Sequence, residues 1–415
     1  MKKILLVALL VVAGLYVGIN SIDADPPDVS SFTTTSEIPA DEDNAWCGFV
    51  AATNAVKRWV ELYDLEKLSS DEIDTLVAEN AEAIALFHNA SRRAKWYDAA
   101  ARRKGFFGGS FPCGDLVKMA KLHKAKAERQ IARGEIAAAV EVAGDLLMLG
   151  RTIQSDAESL VCLLVADGTF GMGLQLAGQV VASGKASDDE LRALRGALCL
   201  TDASALRKSV RQTVNNEFVY VFGDAKRVVD ADMRSAWPSR ITARFEYHPN
   251  RTTALYVQMA GKAKELLSGD YDKGAWESFD SEIKTATWRP SGWFPPNPVG
   301  RLLLAIVFPA YNTSARELAR GEFGLSAAKV VVAAELYRRK TGCRPKSLDA
   351  LVPELLQSVP VDPFDHGAAL KYDAERGVVW TVGVDGNFNG ERLPGKKSYG
   401  RNSRYVVNLD GSKVK

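Results

Sequence analysis

Apolar positions recur every three to four residues over most of the chain, the spacing that sets one face of an α-helix against a core. Folded sequence begins near Asp41, where Trp46, Phe49, Val50, Val56, Trp59, Val60 and Tyr63 follow this spacing. Ser69-Ser70-Asp71-Glu72 then carries the residues of an N-terminal cap for the next helix. The same period predicts helices over Ala120 to Gly134, Glu135 to Arg151, Asp156 to Ser183, Asp188 to Leu200, Asp202 to Phe222 and Thr252 to Ser268. Gly105 to Pro112 breaks the pattern, Trp237 to Pro249 reads as irregular, and the prolines and tryptophans of 288-298 predict a long ordered loop. Near Leu325 the pattern changes to an amphipathic helix over Ala327 to Arg339, a shorter one over Ser347 to Leu356, and two strands, Ala369 to Asp373 and Val378 to Val382. The expected fold class is mainly α. A helical array over 41-324, its helix pairs resembling α-solenoid units without their ~34-residue period, leads into a small α+β unit over 325-415.

The first forty residues follow a different pattern. Met1-Lys2-Lys3 precedes an uncharged apolar run from Ile4 to Ile19, the arrangement of an export signal. The run is shorter than the ~20 residues of a full membrane span. Ser21-Ile22-Asp23-Ala24 is a poor cleavage site because Ile22 is branched. Residues 1-22 are therefore expected to be either a signal peptide or an N-terminal membrane anchor. The chain would lie at the inner membrane facing the periplasm, or be exported. Residues 23-40, rich in Asp, Pro, Ser and Thr, read as a flexible tether. Two later apolar runs, Leu160 to Val181 and Val299 to Tyr311, are interrupted by Asp167 and by Pro309 and read as buried segments.

Composition narrows the partners. Lys+Arg of 53 against Asp+Glu of 51 leaves a net charge of +2, too little for a field that recruits nucleic acid. The expected partners are the inner membrane, through the N-terminal segment, and another protein. The five cysteines are an odd number for an oxidising compartment. Cys162 and Cys199 fall in apolar helical runs as buried side chains, and Cys47 with Cys113 is the expected disulfide.

At the C-terminal end the residues become recognisable. Leu336-Tyr337-Arg338-Arg339-Lys340-Thr341-Gly342, Pro345, Leu348-Asp349-Ala350-Leu351-Val352, Val359-Pro360-Val361-Asp362-Pro363-Phe364, Leu370-Lys371-Tyr372 and Val382-Gly383-Val384-Asp385-Gly386 occur in that order. This series resembles the globular part of the type II secretion major pseudopilin, over roughly 65 residues. The long hydrophobic helix with an early glutamate that opens a pseudopilin is absent from this N-terminus, so a filament subunit is not expected. The chain as a whole resembles long helical envelope proteins of planctomycete-type bacteria, a likeness that implies a location and no activity.

Asp385-Gly386-Asn387-Phe388-Asn389-Gly390 matches the first six positions of an oxygen-ligand calcium loop, with Asp385, Asn387 and Asn389 as metal ligands. Lys396 stands where an EF-hand needs its bidentate glutamate, which excludes that motif. The pseudopilin resemblance implies calcium here, whereas the composition alone also fits a plain turn. Cys47 beside Trp46 has the look of a papain-type nucleophile, but none of His88, His123, His248 and His366 lies in a partner motif. Asn250 reads as a helix N-cap, Gly168 to Gly173 as a site of close helix packing, and Lys118, Lys121, Lys124, Lys126 and Arg129 as a basic solvated face. Trp276, Trp288, Trp293, Phe279 and Phe294 could line a groove or form a core. No catalytic residue is expected. The leading function is a non-catalytic envelope scaffold related to secretion machinery, and the alternatives are a secreted hydrolase or a binding protein that uses the tryptophan-rich loop.

Overall fold

The computed structural model describes residues 22–34, 37–59, 64–104, 113–200, 203–235, 246–288, 297–390 and 405–411. The apolar run of residues 4–19, the break at 105–112 and most of the 288-298 loop, with Trp293 and Phe294, lie outside them. The fold is mainly α. Its helices are α1 (Ala45–Asn54), α2 (Ser70–Glu79), α3 (Ala81–Ser91), α4 (Ala99–Lys104), α5 (Cys113–Arg133), α6 (Ile136–Asp156), α7 (Leu160–Ala182), α8 (Asp188–Cys199), α9 (Ala203–Asn216), α10 (Gly223–Ser235), α11 (Pro249–Ser268), α12 (Lys273–Trp288), α13 (Pro298–Val307) and α14 (Pro309–Thr341). A π-helical turn over Glu217–Phe222 joins α9 to α10 in one continuous rod.

The centre is α7, which packs against α5, α6 and the sequence-distant α14. Among the described residues it is the one helix long and apolar enough to cross a membrane, and half of its apolar window is buried inside the protein. Its composition therefore serves a helix with packed neighbours on several sides. Contact between α7 and the distant α14 also departs from a solenoid, where each repeat touches only its neighbours. Close approach of α6 and α7 depends on glycine. A Cβ at Gly150 would fall 2.7 Å from the Phe170 backbone nitrogen, and one at Gly173 would fall 3.0 Å from the Ala143 carbonyl oxygen. The expected packing role of the 168–173 glycines is thus met at Gly173, while Gly168 and Gly171 face open space.

Residue 325, the expected start of the C-terminal unit, lies inside α14, which runs unbroken through it and has two apolar faces. Leu325, Ala328, Val332 and Leu336 belong to the core of the array. Phe323, Ala327, Val330 and Ala334 belong to the core of the C-terminal unit. Both sets step by three or four residues, so each forms one stripe on opposite sides of the same helix. Gly342, at φ 78°, ends the helix in the left-handed conformation. Beyond it, β1 (Lys371–Asp373), β2 (Val378–Trp380) and β3 (Val406–Asn408) form an antiparallel sheet in that order, with Tyr372, Val379 and Val407 in register. Both expected strands are shorter than the sequence suggested. The Val382 N–H goes instead to Asp362 Oδ2, at 2.9 Å, which takes β2 out of the ladder.

Residues 22–34 lie on the array and do not dangle from it. Asp23 accepts the Asn250 and Arg251 backbone N–H groups at 2.8 and 3.1 Å, so it caps the first turn of α11. Asn250, expected to be the N-cap, is one of the residues capped, and His248 with Pro249 opens the helix. Phe32 is buried against Phe218, with ring centroids 4.8 Å apart, and Lys264 Nζ lies over its ring at 3.6 Å from the centroid.

Candidate functional site

Three ionisable residues stand in otherwise apolar helix faces. His88 lies on α3 among Ile84, Phe87 and Ala90; His123 lies on α5 between Leu122 and Ala125; Asp145 lies on α6 among Val142, Leu146 and Leu149. A polar group in such a stripe needs a partner, because losing water without one costs about 1–3 kcal/mol. Here the partners are one another. Asp145 Oδ2 lies 2.5 Å from His88 Nδ1 and 3.2 Å from His123 Nε2, and Arg92 Nε donates to the other carboxylate oxygen at 3.3 Å. Asp145 and His123 are buried, while the His88 side chain keeps 29% of its exposure and opens the cluster to solvent on one side.

Burial pulls the Asp145 carboxyl upward, but hydrogen bonds and charge from His123 and His88 outweigh it and hold the group below its ordinary pKa. Burial holds His123 below its ordinary value despite Asp145. Burial thus disfavours the charged form of His123, while its ring still faces the Asp145 carboxylate. The cluster's three donor atoms, one from each residue, all lie within 4.8 Å of one another. Sequence reasoning missed this group because the residues are 35 and 22 positions apart with no motif spacing.

Other buried charge is gathered around α7. Glu158, in the turn before it, accepts the Asp98 N–H at 3.1 Å and the Trp96 Nε1–H at 3.3 Å, with Arg102 3.6 Å away. Burial, only partly opposed by Arg102, pushes its pKa up to about 7. Glu217 accepts the Leu160 N–H at 2.8 Å, and burial pushes it up to about 7 as well. Asp167 lies on α7 itself, and burial together with the Glu317 charge brings it to about 7. Between α9, α11, α12 and α14, Arg207 grips Glu322 through two nitrogens at 2.8 and 2.6 Å and Asp270 at 2.6 Å. The cleft beside this ion cluster, floored by Trp276, holds about 20 Å³, room for one water molecule.

The residues singled out from sequence fall elsewhere. Asp385, Asn387 and Asn389 lie together in an exposed turn, where Asp385 Oδ1 accepts from Lys273 Nζ at 2.8 Å. The expected Cys47–Cys113 disulfide is not formed, and all five cysteines are free. Cys47 turns toward Asp41 and Asn44, whereas Cys113 opens α5. Burial and then Asp41 raise the Cys47 thiol, the opposite of an activated nucleophile. Trp276 and Phe279 are core residues in edge-to-face contact at 5.4 Å. On the basic face of α5, Arg129 makes a two-nitrogen pair with Asp74 and Lys124 pairs with Glu128. In comparisons with protein-family models, curated proteins and solved structures, the chain finds no match.

Proposed function

We propose that the chain is a membrane-anchored envelope protein, facing the periplasm, that acts as a non-catalytic scaffold with its pseudopilin-like C-terminal unit as the docking piece. One observation carries this reading. The segment that follows the apolar run is strapped to the body from Asp23 to Phe32, and that body shares α14 with the C-terminal unit. A body held within a few residues of its anchor, with the docking unit built on the same helix, would keep that unit at a fixed position over the bilayer. Asp23 also favours a retained anchor over a cleaved signal, because cutting after Ala24 would remove the carboxylate that caps α11.

The residues behind the pseudopilin resemblance have structural work that fits this reading. Buried Asp362 accepts the Phe364 and Val382 N–H groups, each at 2.9 Å, and the Thr381 hydroxyl, which pins the Pro-x-Asp-Pro loop to the end of β2. Tyr372 donates its hydroxyl to the Pro345 carbonyl at 2.6 Å. The test is fractionation of the host cell envelope. The full chain should stay with inner membranes through high salt and alkaline carbonate, be digested by protease added to spheroplasts, and be released when residues 1–21 are removed. Recovery of a processed, soluble periplasmic chain would overturn the anchor, and recovery from cytoplasm would overturn the whole reading.

A further inference from the structure

We propose that His88 Nδ1, His123 Nε2 and Asp145 Oδ2 bind one divalent transition-metal ion of the zinc class, with water completing its coordination. The proposal goes beyond the scaffold reading and does not rest on it.

Donor chemistry is the first argument. Two imidazoles and one carboxylate suit zinc and its transition-metal neighbours, whereas calcium and magnesium prefer all-oxygen sites. Geometry is the second. Around a tetrahedral ion with bonds of ~2.0–2.2 Å, donors stand about 3.3–3.5 Å apart. Here both nitrogens face the same oxygen, at 2.5 and 3.2 Å, and all three atoms lie within 4.8 Å, so side-chain rotations on the order of 1 Å open the cluster around an ion. Arg92 is the third argument. It holds Asp145 Oδ1 at 3.3 Å and leaves Oδ2 as the ligand, which is how an outer-shell donor fixes a one-oxygen carboxylate.

On binding, each ring N–H facing Asp145 moves to the other ring nitrogen. For His123 that atom is Nδ1, which has no hydrogen-bond partner among the described residues, so either tautomer leaves it alone. The exposed edge of His88 provides the entry path and the open side for water. Because the ligands come from α3, α5 and α6, the ion would tie three helices together.

The test uses the full chain in detergent, stripped with chelator and then titrated with zinc and, separately, with cobalt. Expected are one zinc retained per chain after desalting, a rise in melting temperature, and visible cobalt absorption without sulfur charge-transfer bands. His88→Ala, at the exposed edge, should fold normally by circular dichroism and bind zinc at least tenfold more weakly, with Asp145→Asn behaving alike. His366→Ala, an exposed site outside the cluster, should bind as the parent does. Failure of the parent to retain zinc, or equal binding by folded His88→Ala, would leave the cluster a hydrogen-bonded buried aspartate. Sulfur-to-cobalt bands that persist in His88→Ala would assign the metal to the free cysteines and overturn the proposal.

Discussion

Glu217→Gln offers the sharpest check on the buried charge around α7. Glu217 begins the π-helical turn, is buried, and among the described residues has the Leu160 N–H as its hydrogen-bond partner, with no cation beside it. Its neighbours Tyr256 and Tyr311, joined hydroxyl to hydroxyl at 2.8 Å, are held neutral by burial. Burial raises Glu217 from 4.5 to about 7. A carboxyl raised in this way stabilises fully below its unfolded pKa and loses that contribution as pH climbs through the folded value. At ~1.36 kcal/mol per pKa unit, the whole loss is about 3.4 kcal/mol, of which about 2.5 falls between pH 5 and pH 8. Glutamine keeps an oxygen for the Leu160 N–H and removes the titration. Urea unfolding of parent and variant, followed by circular dichroism, should therefore show the stability difference shifting in favour of the variant by about 1–3.5 kcal/mol from pH 5 to pH 8. Glu158 and Asp167 titrate in both proteins and cancel in that difference. Parallel stability curves across the pH range would refute the reasoning, because they would mean that Glu217 is not buried as a raised acid.

Two further outcomes follow from the same geometry. Gly173→Ala drives a Cβ to 2.8 Å from Leu147 Cγ and 3.0 Å from backbone, so it should cost about 1–3 kcal/mol in thermal melts, whereas Gly168→Ala should stabilise by about 0.5–1. In the exposed turn, Lys273→Ala frees the Asp385 carboxylate, so calcium should raise the melting temperature of that variant more than the parent's, and Asp385→Ala should abolish any rise.

Most helices were legible because each buries one stripe, and Ser69 with Glu72 closes the capping box that the sequence spells out. What sequence reading missed was where two helices touch. Gly321 and Gly324 lie within the continuous α14. Their purpose is proximity to α7, since a Cβ at 321 would meet Asp167 Oδ1 at 2.6 Å and one at 324 would meet Leu174 Cδ1 at 3.0 Å. The packing of Asp23 and Phe32, within the expected tether, was hidden for a related reason. Asp23 and Phe32 are anchored by Asn250, Arg251 and Phe218, partners nearly two hundred residues or more away, which local composition cannot reveal. The candidate site follows the same logic. His88, His123 and Asp145 sit in no motif spacing, and a motif search discards such residues one at a time. Buried polar groups demand partners, so three such residues on helices predicted to pack together are a joint signal even when no spacing connects them. The same rule marks Glu158, Asp167 and Glu217. Of these buried acids, Asp145 is the one facing two imidazoles, and this is what separates a candidate metal centre from charge that the core only tolerates.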